Sequence, residues 1–325
     1  MFLSVVLFAI GLVLLIYGGD WFVDGATGIA KRFRLPDIVV GATVVSIGTT
    51  LPEVMVSTTG ALQGSGAMAY GNAIGSIICN TSLIAAISIV CNPGPVNTKS
   101  MKTPAIFFFL SSAIYCLAAY GMGTFPRWLG FIMLSVFAVY MFLTVRNGLR
   151  NPDAAASEEA EGEEKERKLW QELALLVVGA AVIAVGADLL VEHGQIIAIE
   201  LGVPETVVAL LFVALGTSLP ELVTTITSLR KGRASLGVGN VIGANIFNLV
   251  LVSGVAVSLA PFDVPVENTL LNTGLNLSLV FDIPVMLAVM SLMIFPALLN
   301  KKLSRWQGVA LLGIYAAFVV LQCVL

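Results

Sequence analysis

SIGTTLPE at residues 46–53 returns as ALGTSLPE at residues 214–221, 168 positions later. Shifted by that interval, the two halves of the chain align without a gap from about Gly18 to Pro93. Gly18, Asp20, Pro36, Gly48, Thr49, Leu51, Pro52 and Glu53 meet Gly186, Asp188, Pro204, Gly216, Thr217, Leu219, Pro220 and Glu221. Gly71, Asn72, Gly75, Asn80 and Pro93 meet Gly239, Asn240, Gly243, Asn248 and Pro261. Further on, RWLG at 127–130 matches RWQG at 305–308 with a shift of 178, which places about ten extra residues around 262–278. A duplication on this scale decides the architecture before any single residue is read.

The repeated phrase lies inside apolar runs. Of 325 residues, 58% are apolar and 11% charged, and mean hydropathy is +0.96. Soluble domains carry about 25% charge, so an ordinary soluble globule is excluded. The 31 glycines show no three-residue period, which excludes collagen. No basic field points to nucleic acid. Ten segments approach the ~20 apolar residues of a membrane span: 2–24, 37–60, 68–91, 104–121, 127–145, 169–192, 204–229, 235–258, 279–299 and 306–324. The first lacks a basic leader and a cleavage site, so it reads as a permanent helix.

Lys and Arg orient the spans. With the N-terminus outside, 16 of the 17 basic residues fall in inside loops, and only Arg127 falls outside. Five spans per half is an odd number, so the second copy enters from the opposite side. The expected fold is an all-α membrane protein of ten transmembrane helices in two inverted five-helix repeats, both termini outside. The repeats cover 1–147 and 169–325. Between them, 148–168 is an acidic, solvated cytoplasmic linker holding seven acids from Asp153 to Glu166.

Glu53 and Glu221 fall midway along their spans, and no Lys or Arg lies at matching depth. A carboxylate there costs at least about 2.5–3.5 kcal/mol and marks an ion path. Thr49 and Thr217 lie four residues earlier, on the same helical face. Pro52 and Pro220 lack an N–H, which frees the carbonyls of Gly48 and Gly216 in a broken helix. GNAIGSIICN (71–80) and GNVIGANIFN (239–248) add Asn72, Ser76 and Asn80, and Asn240, Ala244 and Asn248, at four-residue spacing, with Asn245 alongside. This all-oxygen set suits Ca²⁺, Mg²⁺ or Na⁺ rather than zinc or copper. Cys79, Cys91, Cys116 and Cys323 show no CxxC spacing, and His193 is alone, so neither a redox nor a His-based metal site is expected.

Several polar positions have a packing reading beside the ligand reading. Asn72 and Asn240 fit either role, whereas Ser57/Thr225 and Thr59/Thr227 read as helix–helix glue. Asp20/Asp188 and Asp24/Glu192 read as interface anchors or vestibule lining, and Asp282 has no assigned role.

The paired GTTLPE and GTSLPE motifs, each followed by a GN-x-x-G helix, resemble the α-repeats of the cation/Ca²⁺ exchanger superfamily, above all its prokaryotic sodium/calcium exchanger branch. The resemblance covers nearly the whole chain. It implies four cation sites in a diamond between spans two, three, seven and eight. Glu53 and Glu221 would be the central ligands. Thr49, Thr50, Ser76, Asn80, Thr217, Ser218 and Asn248 would complete them, with the backbone carbonyls of Ser46 and Ala214. Spans one and six would slide as a mobile pair. Two positions depart from the pattern: Asn248 stands where relatives often carry Asp, and Ala244 replaces the serine expected opposite Ser76. Two carboxylates then balance one Ca²⁺, two Na⁺ or two H⁺.

The expected function is a secondary antiporter, and not an enzyme, exchanging Ca²⁺ for Na⁺ by alternating access. H⁺/Ca²⁺ or K⁺-dependent exchange is the alternative, and a cation channel a more distant one. The partners are the ions and the lipid bilayer, with no cofactor and no nucleic acid. One chain suffices for the site, and the expected location is the plasma membrane of a prokaryote.

Overall fold

The computed structural model describes residues 2–150, 167–201, 216–265 and 275–324. Most of the 148–168 linker, Ala214, the first part of the seventh span and much of 262–278 therefore lie outside the described residues. The helices are α1 (Phe2–Phe33), α2 (Asp37–Leu62), α3 (Gly66–Cys91), α4 (Thr98–Met122), α5 (Arg127–Leu149) and α6 (Leu169–Glu200). They continue with α7 (Leu219–Arg230), α8 (Ala234–Leu259), α9 (Ser278–Asn300) and α10 (Arg305–Val324). Among the described residues, nine helices are long and apolar enough to cross a membrane. The described part of α7 has 12 residues and adjoins the undescribed 202–215. Helices are the expected outcome, because lipid offers no partner for an open backbone N–H or C=O.

Two helices run further than the hydropathy predicts. α1 and α6 each hold 32 residues, extending nine and eight positions past the expected ends at 24 and 192. The added turns of α1 carry Arg32, which pairs with Glu172 of α6 at 3.0 Å. The helix ends follow local chemistry. Asn97 Oδ1 caps α4 by accepting from Lys99 N at 3.1 Å and Ser100 N at 3.3 Å. Gly64 and Gly232, related by the 168-residue shift, both follow their helices with positive φ, +83° and +71°.

Burial separates the bundle into a centre and a periphery. The most apolar windows of α8, α3 and α2 are 83%, 72% and 61% buried, against 28% for α1, 22% for α6 and 17% for α10. The repeated GTTLPE and GN-x-x-G segments therefore lie in the centre. α1 crosses α6 so closely that a Cβ on Gly11 would sit 2.9 Å from Gly186 O, and one on Gly186 2.9 Å from Gly11 O. The outer helices clasp the other half: a Cβ on Gly130 of α5 would meet Gly254 O at 2.9 Å, and one on Gly308 of α10 would meet Ala86 O at 2.8 Å. Those two contacts are exchange partners under the repeat alignment.

Two short strand pairs interrupt the all-helical expectation. β1 (Gly94–Pro95) pairs with β4 (Lys302–Leu303), and β2 (Thr124–Phe125) with β3 (Phe262–Asp263), both antiparallel. Under the same shifts β1 corresponds to β3 and β2 to β4, so each clip joins one half to the other. Phe125, fully buried, packs its ring 4.8 Å from Tyr115, 5.9 Å from Tyr70 and 5.3 Å from Phe262 beneath the β2–β3 clip.

Candidate functional site

α2, α3, α7 and α8 supply the repeated polar residues, and the centre of the bundle hides them from solvent and lipid. Glu53, Glu221, Thr50, Ser46, Asn80, Asn240 and Asn248 are 0% exposed. Thr49, Ser76 and Ser218 are buried as well. Burying a carboxylate without a partner is among the most expensive arrangements a protein can hold. Yet neither oxygen of Glu53 has a hydrogen-bond partner among the described residues, and Glu221 Oε2 has none. No described Lys or Arg forms an ion pair with either acid.

The two acids face a shared space. Thr50 Oγ1 of α2 donates to Glu221 Oε1 of α7 at 3.5 Å, so the motif of one half reaches the acid of the other. Asn80 has no partner for either side-chain atom, nor has Asn248 Oδ1 or Ser218 Oγ. These unpartnered oxygens on carboxylate, amide and hydroxyl groups form a hard-ligand set. Asn248 Nδ2 donates to Ala244 O at 3.1 Å, one turn earlier on the same helix.

Asn72 and Asn240 resolve in favour of the centre, as cross-braces between the halves. Thr49 Oγ1 donates to Asn240 Oδ1 at 3.1 Å, and its repeat mate Thr217 Oγ1 donates to Asn72 Oδ1 at 3.3 Å. Each threonine proton is thereby directed to the opposite half, which leaves the hydroxyl lone pairs to turn elsewhere. Asn72 also takes Ser76 Oγ at 3.5 Å and gives Nδ2 to Ser57 Oγ at 2.8 Å. Asn240 holds Ser46, whose Oγ donates to Asn240 O at 2.9 Å and to Gly41 O at 2.8 Å. Ser57, read from sequence as packing glue, thus supports a residue that braces the site. The signal for these asparagines was their exact repetition, which does not by itself separate packing from ligation.

Three π-helical turns lie in the central helices, at Gly41–Val45 of α2, Asn80–Ala85 of α3 and Asn248–Val252 of α8, and two more at Leu117–Met122 of α4 and Ser278–Asp282 of α9. Such turns carry an extra residue and are frequent at functional sites. The broken helix expected at the proline appears in the second copy, where Thr217–Ser218 form a turn and α7 starts at Leu219. In the first copy the helix runs unbroken from Ser46 to Leu62 through Pro52. Proline removes one donor, and here the helix, in contact with α3 and α8, continues through it.

A second polar cluster escaped the sequence reading. Asn245 Nδ2 donates to Thr81 Oγ1 at 2.7 Å and to Met290 Sδ at 3.1 Å, with all three residues fully buried. Asn245, which aligns with Ile77 under the 168-residue shift, therefore ties α8 to α3 and α9. Asp20 and Asp24 are also explained: Lys231, just after α7, reaches Asp20 Oδ1 at 3.5 Å and contacts Asp24, while Arg167 lies 3.7 Å from Asp24. Their partners come from distant segments that no spacing rule connects. Asp282 accepts from Gln322 Nε2 at 2.6 Å.

Residues 3–146 and 172–324 match the sequence model of the sodium/calcium exchanger protein family. This chain belongs to the sodium/calcium exchanger family. Its relatives include an uncharacterized membrane protein of Methanocaldococcus jannaschii, 33% identical over 96% of both chains. The sodium/calcium exchanger MaX1 of Methanosarcina acetivorans is 30% identical over 96% of both. A solved structure of the sodium-calcium exchanger NCX_Mj soaked with Na⁺ and Sr²⁺ superposes with a TM-score of 0.78 at 30% identity, covering 98% of each chain. Exchanger relatives are transporters, so the reading of this chain as a transporter and not an enzyme agrees with its family. The prokaryotic branch read from the paired motifs agrees as well.

Proposed function

We propose that this chain is a secondary antiporter that exchanges Ca²⁺ for Na⁺ at a site between α2, α3, α7 and α8. The carrying observation is the pair Glu53 and Glu221: fully buried, from opposite halves, and without a cationic partner among the described residues. The ligands in this reading are the two glutamates with Thr49, Thr50, Ser76, Asn80, Thr217, Ser218 and Asn248. The carbonyls of Ser46 and Ala214 complete the set. The transported ions are the cargo, and the chain needs no resident cofactor.

The coupling logic follows from charge. An empty site leaves two buried carboxylates uncompensated, which opposes any movement that carries them through the low-dielectric centre. One Ca²⁺ or two Na⁺ cancels both charges and lets the protein reorient. Exchange is obligatory for the same reason. Asn72 and Asn240 are positioning residues here, holding Thr217 and Thr49 in place.

The reciprocal contacts support an inverted repeat of two five-helix units, 1–147 and 169–325, joined by a cytoplasmic linker at 148–168. Ten spans with both termini outside place Arg32, Lys231, Arg233, Lys301 and Lys302 at the inner surface of a prokaryotic plasma membrane. The glycine-lined crossing of α1 and α6 supports their movement as one pair. Lys231 pins α1 to the end of α7 and must release Asp20 and Asp24 when that pair slides. A monomer holds the complete site.

Purified protein in sealed proteoliposomes tests this. An outward-to-inward Na⁺ gradient should drive ⁴⁵Ca²⁺ movement, and K⁺ or H⁺ gradients alone should not. Absence of Na⁺-driven flux, or full flux in Glu53→Gln, would overturn the reading.

A further inference from the structure

The basic residues divide by what they face. Lys231 bridges Asp20 and Asp24, Arg32 pairs with Glu172 at 3.0 Å, and Arg233 with Asp37 at 3.2 Å. Lys99, Lys102, Lys301, Lys302 and Arg305 differ. They belong to two stretches, 54–152 and 283–325, that contain no Asp or Glu at all. Among the described residues none of the five forms an ion pair. The β1–β4 clip draws the two stretches together, with Pro95 opposite Lys302 and Val96 N donating to Lys301 O at 3.0 Å.

The clip leaves an open groove of about 630 Å³, lined by Pro93–Pro95 on one side and Asn300–Arg305 on the other. Arg305 Nε donates to Val90 O at 3.0 Å, which fixes the guanidinium at the end of α3. Leu299 and Trp306, 81% and 54% exposed, flank the cations in sequence on helices that a bilayer surrounds. The topological preference for inside Lys and Arg explains why cations lie at this end. It does not explain why Lys301, Lys302 and Arg305 gather around one groove between two stretches that hold no acid.

We propose that this groove seats the phosphate headgroup of an anionic phospholipid. Lys301, Lys302 and Arg305 meet the phosphate, and the acyl chains run along Leu299 and Trp306. Basic pockets at a membrane surface suit such headgroups, and a fixed guanidinium matches phosphate oxygens in pairs. The leaflet rests on the sidedness proposed above; binding measured in micelles does not.

Native mass spectrometry of the full chain, in micelles containing cardiolipin or phosphatidylcholine, tests this. The expected result is one retained cardiolipin and no retained phosphatidylcholine. Replacing Lys301→Gln, Lys302→Gln and Arg305→Gln together should weaken retention about a hundredfold, at about fivefold per cation. Removing three charges elsewhere at the same end, by Arg34→Gln, Arg150→Gln and Arg230→Gln, should leave retention nearly unchanged. Gly94 has open space beside its Cα, so Gly94→Trp fills the groove without touching a charge and should also displace the lipid. That variant keeps the proposal falsifiable if the triple variant fails to fold. Equal losses in both charge triples, or full retention in Gly94→Trp, would reduce the groove to a diffuse basic surface and overturn the proposal. Displacement by millimolar inorganic phosphate would assign the groove to a soluble anion and overturn it too.

Discussion

Glu53→Gln should stabilise the ion-free protein and destabilise the Ca²⁺-loaded one. Both Glu53 oxygens are buried and unpartnered among the described residues, so the charge is a cost in the empty protein. Effective penalties for a buried ion run to several kcal/mol, and the neutral isostere removes that cost while keeping the volume. With Ca²⁺ the balance reverses. Losing one partner of a buried charge pair costs about 3–5 kcal/mol, or at least about a hundredfold in affinity. At a Ca²⁺ concentration near 1,000 times the wild-type dissociation constant, binding stabilises wild type by ~4 kcal/mol. A site weakened a hundredfold then gains only ~1.4 kcal/mol from the same Ca²⁺. Thermal unfolding in detergent, with chelator and with Ca²⁺, should therefore show the two proteins crossing in order. A variant that unfolds earlier in chelator yet keeps the full Ca²⁺ shift would refute the assignment of Glu53 as a ligand.

Asn240→Leu removes the acceptor for Thr49, while Ser46 keeps the backbone carbonyls of residues 240 and 41; it should raise the Ca²⁺ concentration for half-maximal ⁴⁵Ca²⁺ uptake by roughly 5–30-fold, as an unmade buried hydrogen bond of about 1–2 kcal/mol requires. Asn248→Asp adds a third carboxylate at the level of Glu53 and Glu221; the Na⁺ dependence of flux should become steeper, since one more positive charge is needed for neutrality. Gly130→Leu drives a side chain into Gly254 O and Ser258 N, and should cost about 1–3 kcal/mol of stability, read as a lowered unfolding midpoint with normal Ca²⁺ affinity. Lys231→Met breaks half-exposed ion pairs with Asp20 and Asp24; stability should change by less than about 1 kcal/mol, while the flux rate changes and loses its sensitivity to ionic strength.

The helices and the level of the site were legible because both rest on periodicity and repetition. Apolar runs located nine of the helices that the structure describes, with errors where charged ends such as Arg32 and Glu200 stay helical. Glu53, Glu221, Asn80 and Asn248 stood out as polar residues repeated in apolar surroundings. Roles set by contacts across the bundle were not legible. The bond between Thr49 and Asn240 joins residues 191 apart, and Lys231 finds Asp24 across 207. Asn245 was visible only as a break in the repeat, since its partners Thr81 and Met290 come from two other helices. The strands escaped because two-residue clips leave no pattern in hydropathy.

Each clip takes one strand from either half, and each bracing threonine donates to an asparagine of the other half. Neither half of the sequence completes its own edges or its own bracing. During synthesis the first half emerges with Gly94–Pro95 unpaired and Asn72 without Thr217, and both wait for the second half. The halves thus act as reciprocal assembly templates. Co-expressed as separate chains, they have everything needed to find each other, and expressed singly each lacks the partner that finishes it.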